Sequence, residues 1–127
     1  GLNKPIEGLE TVEIQMATFD QIPAKIQLDE LVKMIREKSG AEEFDRMVKS
    51  YLSEDIHALY QIMNQDGMMK EYRGIMLDNR NKAWIPQLQE KMAKESLFVA
   101  VGSGHLAGEY GVISLLRKAG YQVEPVN

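Results

Sequence analysis

The chain has no cysteine among its 127 residues. That removes disulfides, thiolate nucleophiles and cysteine-based zinc sites together. Histidine is nearly as scarce: His57 and His105 are the only two. A metal site normally takes about three protein ligands, so histidine alone cannot build one here. No lysine- or arginine-rich run is present and the net charge is -4, which speaks against a general nucleic-acid or anionic-membrane binder. No stretch approaches the roughly 18 consecutive apolar residues that span a bilayer. No signal-peptide pattern is seen either. What remains is an ordinary globular composition, 44% hydrophobic and 27% charged, on a chain long enough for one domain with a real core.

Helical periodicity dominates the first two-thirds. Lys4–Glu10 reads as a weak strand, and helical character begins at Thr11. Ile14, Phe19 and Ile22 form a loose apolar face that Pro23 ends. Leu28, Leu31, Val32 and Ile35 repeat at helical spacing up to a stop at Gly40, and Phe44, Met47, Val48, Tyr51 and Leu52 repeat it again. Ser53 is the expected N-cap of a helix containing Ile56, Leu59, Tyr60 and Met63, which Asp66-Gly67 breaks. A further helix covers 77–96, with a kink or boundary expected near Pro86.

The last third changes character. Leu97–Val101 is a continuous apolar run, which predicts a strand covered on both faces. A glycine-rich turn follows, then a helix over 109–119 stopped by Gly120, then alternating residues over 121–126 that predict a closing strand. Together these give a βαβ unit. The fold expected is α/β and helix-rich, with several helices and a small, partly parallel sheet too short in strands to stand alone.

The chemistry concentrates in Gly102-Ser103-Gly104-His105-Leu106-Ala107-Gly108-Glu109. A dinucleotide loop fits the strand–turn–helix setting, with Glu124 as ribose acid, but the glycines are spaced one residue too far apart. A nucleophile elbow on Ser103 lacks its flanking glycines, since Val101 and His105 stand there. A metal or acid–base site on His105 is a third reading. Glu109, four residues on, would join it in helical geometry, and Glu10 is a further carboxylate. The fourth reading is structural: His105 bonds nearby backbone, and the glycines permit close packing.

The segment GSGHLAGEYGVISLLRKAGYQVEPV closely resembles the C-terminal signature of the TraB/PrgY/GumN family, which includes the animal Tiki proteins. Gly8-Leu9-Glu10-Thr11 with Gln15, the Tyr51-Leu52 to Tyr60 region, and Arg80-Asn81 followed by Trp84 fit the same pattern in the same order. The family carries a glycine–two residues–histidine motif twice, and Gly102–His105 resembles the second copy.

The resemblance implies that residues 1–127 form the C-terminal portion of a larger domain of the EreA/ChaN type, partnered by an N-terminal half. It implies a metal-dependent hydrolase, with manganese or cobalt as the ion and a peptide or small molecule as substrate. An extracytoplasmic bacterial setting goes with it. His105, Glu10, Arg80 and Asn81 are the implied catalytic residues, and His105 with Glu109 the metal-binding ones. Glu10 is open to the roles of ligand, base or ion-pair partner, Arg80 to clamping an anion or pairing with a buried carboxylate, and Asn81 to orienting a substrate or capping a helix. One position departs from the pattern, because Asn79 stands where the family often has glutamate before Arg-Asn. The alternative is a non-enzymatic ligand-binding module, resembling the haem-binding ChaN branch. A half-sheet with an open edge would also favour a homo-oligomer.

Overall fold

A computed structural model of the protein describes residues 5–37, 39–65 and 67–126. It is helical. Helix α1 spans Val12–Asp20, α2 Ala24–Glu37, α3 Ser39–Leu52 and α4 Ile56–Met63. Helix α5 (Gly67–Arg73) passes through one π-helical turn (Gly74–Asp78) directly into α6 (Asn79–Met92). A single 3-10 turn at Ser103–His105 precedes α7, Val112–Lys118. Among the described residues no helix is long and apolar enough to cross a membrane.

Local chemistry explains the helix ends. Thr11 caps α1 by accepting from the Ile14 amide at 3.3 Å. Asp55, rather than the expected Ser53, caps α4: its Oδ1 accepts from the His57 and Ala58 amides at 3.1 and 2.9 Å. The Ser53 hydroxyl instead donates back to the Ser50 carbonyl. Gly40 does not stop a helix, because it lies inside α3. Lys4 and Asp66 fall outside the described residues. Pro86 does not end α6, which continues through it to Met92. Gly120 closes α7 at φ +94, as a C-terminal glycine should.

The sheet expected from the sequence is not present, and no strand occurs among the described residues. The helix-rich α/β class ending in a βαβ unit is therefore corrected to a helical fold. Leu97–Val101 and Tyr121–Val126 have no ladder partner, and no hydrogen bond among the described residues engages the Leu97–Val101 backbone. A strand needs a neighbour to satisfy its amides. Instead of being covered on both faces, this run turns only Leu97 and Val101 inward and leaves Phe98 96% exposed. The N-terminal segment is likewise not a strand. Side chains of α6 hold it: Gln87 donates to the Leu9 carbonyl at 3.3 Å, while Lys91 and Arg80 pair with Glu7 and Glu10. Without strands, the described residues present no open sheet edge on which a second copy could pair.

The core lies where α6 meets α7. Trp84, Ile85, Leu88 and Val112 are buried there, and Leu9, Met92, Leu97, Val101, Leu115 and Leu116 close around them. This places the first turns of α6 directly beside the loop carrying His105.

Candidate functional site

On α6 Trp84 stands four residues after Arg80 and three after Asn81, so the two flank its ring on one side of the helix. That face looks onto the Gly102–Gly108 loop and the N-terminal segment. Four of the residues singled out from the sequence meet here.

Asn81 is 1% exposed and joins α6 to the loop. Its Nδ2 donates to the Tyr110 carbonyl at 2.8 Å and to the His105 carbonyl at 3.3 Å. Two carbonyl acceptors fix which end of the amide is nitrogen, so Oδ1 must face the imidazole. His105 Nδ1 lies 2.6 Å from that oxygen. Because Oδ1 can only accept, Nδ1 carries the proton and Nε2 keeps a lone pair. Every buried side-chain nitrogen and oxygen among the described residues has a hydrogen-bond partner. Nε2 makes no hydrogen bond among the described residues, and His105 is one of the residues that line a neighbouring groove.

The ring also packs against Trp84, with centroids 4.6 Å apart and planes inclined by 42°. Burial, reinforced by the Arg80 charge and opposed by Glu10, lowers the His105 pKa to about 4. The imidazole is therefore neutral at pH 7.

Glu10 and Arg80 form the other half of the cluster. Arg80 Nε lies 3.1 and 3.0 Å from the two Glu10 oxygens, and its Nη2 completes a forked contact. Arg80 also donates to the Met76 carbonyl at 2.9 Å and rests over the Trp84 ring. Glu10 is held below the ordinary carboxylate range by its Arg80 hydrogen bonds. Its side chain is 7% exposed, so it serves as a buried ion-pair partner.

Glu109 is placed differently. The residues between it and His105 do not form a helix, so the i, i+4 geometry expected of the pair is absent. Its exposed carboxylate lies 3.6 Å from Lys118 Nζ. His57 is exposed on α4, and Asn79 is exposed at the start of α6. Among the described residues no three histidine, aspartate or glutamate side chains gather closely enough to hold a metal ion. A single imidazole with the neighbouring Glu10 carboxylate committed to Arg80 does not fit a divalent cation unaided.

The loop's path depends on its glycines. A Cβ on Gly104 would lie 2.7 Å from Met63 Cε. Gly108 has φ +91, and a Cβ there would lie 2.5 Å from the Tyr60 ring. These close approaches seat the loop on α4. Beside His105 opens an apolar groove of about 450 Å³, walled by Phe44, Met47, Val48, Met63 and Leu77.

The sequence reading missed Trp84 as part of the site, although its spacing from Arg80 and Asn81 carried the signal. It also missed a second buried polar group. Arg73 Nε lies 3.2 Å from Asp78 Oδ2, its Nη1 is 3.4 Å from Asn64 Oδ1, and the guanidinium sits over Tyr60. The π turn between Arg73 and Asp78 brings them into register, which helical spacing alone does not reveal.

The arrangement defines a helical domain with a buried histidine–asparagine–tryptophan cluster beside a charge pair. A family model described as TraB/PrgY/gumN family matches residues 1–125, and the chain belongs to that family. No curated protein and no solved structure matches it.

Proposed function

We propose that this chain supplies the imidazole-bearing part of a hydrolytic site in a larger domain, acting on a peptide or related acyl bond. The supporting observation is the contact of His105 Nδ1 with an asparagine oxygen whose amide orientation two carbonyls dictate. It leaves Nε2 as a lone-pair nitrogen at neutral pH, the form that accepts a proton from water or ligates a cation. A manganese- or cobalt-dependent version needs donors beyond those described. In this reading they come from the N-terminal half of the domain, so the chain by itself binds such ions weakly. The test is His105→Ala in the full-length protein, assayed on fluorogenic casein with manganese present. Loss of about 10²–10⁴-fold is expected for removal of a positioned acid–base group. Activity within a few-fold of the parent overturns the reading. Tight stoichiometric manganese binding by the 127-residue chain in calorimetry overturns the division of the site.

The apolar groove beside a neutral imidazole favours one second reading, a non-catalytic module for a planar apolar ligand such as haem. Haem titration would then give a Soret shift that His105→Ala abolishes, and an unchanged spectrum sinks this version.

A further inference from the structure

The groove at His105 does not end at its apolar walls. A second cavity, about 380 Å³, adjoins it and shares Tyr51, Leu59 and Ser103 with it. The shared residues set the two side by side about Ser103, a depression in two adjoining parts. Its His105 end carries no charged wall, being formed by Phe44, Met47, Val48, Met63 and Leu77. The far end is acidic, because Glu54 and Asp55 line it. Among the described residues no lysine or arginine lines either cavity.

Glu54 is held there by the backbone. It has φ +58 in the tight turn between α3 and α4, a conformation that side-chain-bearing residues other than asparagine and aspartate seldom adopt. Asp55 spends Oδ1 on capping α4. Both residues thus sit at the turn that joins α3 to α4.

We propose that this depression is a peptide-binding groove, taking a bulky apolar side chain beside His105 and a basic side chain toward Glu54 and Asp55. The inference deepens the hydrolytic reading and borrows from it only the role of His105 as the reacting group. Charge complementarity selects the occupant. An acidic end without a balancing cation repels the carboxylate of a fatty acid and the phosphate of a lipid or nucleic acid. A peptide can offer apolar and cationic groups a few residues apart along one extended chain. The open, surface-lying shape, with Phe44 and Tyr51 themselves more than half exposed, suits a chain laid across it better than an acyl tail that must be enclosed.

The experiment is calorimetric titration of the intact chain with the capped peptide Lys-Ala-Ala-Phe-Ala-Ala-Lys, which presents lysine in either direction. Fluorescence of Trp84, the sole tryptophan and a neighbour of His105, reports occupancy of the apolar end. Exchanging phenylalanine for aspartate should weaken binding at least about tenfold, because a charge would be desolvated without a partner. Exchanging both lysines for glutamate should weaken it about threefold or more, with the difference shrinking in high salt. Val48→Asp, on a partly exposed wall, should reproduce the first loss. Glu54→Asn removes the charge while keeping a residue at ease with positive φ, and should erase the lysine preference. Absence of binding, equal affinity for all the peptides, or tighter binding of laurate overturns the groove. If peptides discriminate while hydrolysis by the full-length protein survives His105→Ala, the hydrolytic reading fails and the groove stands. If hydrolysis needs His105 but the peptides bind alike, the groove alone fails.

Discussion

Helices α2 and α3 announce themselves in the sequence at least as clearly as α6 and α7, yet the two pairs are used differently. On α6 and α7 the apolar positions are covered: Trp84, Leu88 and Val112 are 4%, 2% and 5% exposed. On α2 and α3 the periodic residues Leu28, Leu31, Ile35, Phe44 and Tyr51 all remain at least half exposed. An amphipathic pattern states which side of a helix is to be buried. It does not state what will cover it. Within the pair with the cleaner stripe, α3 frames the open wall of a groove, while the pair interrupted by proline, asparagine and arginine holds both the core and the histidine cluster.

The contrast breaks most sharply at Trp84. Trp84→Ala removes the centre of the core and the surface on which His105 packs, so a loss of about 3–5 kcal/mol is expected in chemical denaturation. A loss below about 1 kcal/mol would mean that α6 and α7 do not form the core.

Acid should act next. His105 has a folded pKa of about 4, below the ordinary value of 6.5. The unfolded chain therefore binds the proton first, and stability falls as pH drops from about 6.5 toward 4, then levels for this group. Linkage sets the loss on the order of 3 kcal/mol. It should appear as the difference between parent and His105→Gln melting profiles across that window. Parallel profiles would show that His105 is not buried as a neutral ring. Glu10 works in the same direction at lower pH: its pairing with Arg80 is present above the ordinary carboxylate pKa and is lost as pH falls through its depressed folded value.

Asn81→Ala comes third. It strands the Tyr110 carbonyl and the His105 Nδ1 proton, a cost of about 2 kcal/mol. Nitrogen NMR of His105 should show the single Nδ1-protonated tautomer giving way to a mixture. A stability loss with the tautomer unchanged would reduce Asn81 to a packing residue. The smallest effect belongs to the other pair of helices. Ile35→Ser, at a position 69% exposed, should change stability by no more than about 0.5 kcal/mol. A loss of several times that, dependent on protein concentration, would show that α2 is covered by a second copy.

The helices were largely legible because capping and periodicity act over a few residues. Thr11 as the start of α1 and Gly120 as the end of α7 follow from single side chains and one backbone angle. The predicted strands failed for a physical reason: Leu97–Val101 has strand composition, but composition does not supply a neighbour. The site was half legible. The pattern points to Glu10, Arg80, Asn81 and His105, and the ion pair open to Glu10 and Arg80 is formed, whereas the grip of Asn81 on two carbonyls and a ring nitrogen has no sign in the sequence. Glu109 was assigned beside His105 on helical spacing that the loop does not adopt.

The sequence by itself determined family membership, the helical periodicity and the isolation of His105 in a glycine-bearing loop. Only the tertiary structure decided what that histidine is. Asn81 is 24 positions away from it, and Arg80 reaches across 70 positions to Glu10. The tautomer and the lowered pKa both arise from groups that meet only when α6 packs against the loop. Protonation is set by the local dielectric and by hydrogen-bond partners, and neither exists along the chain until it has folded.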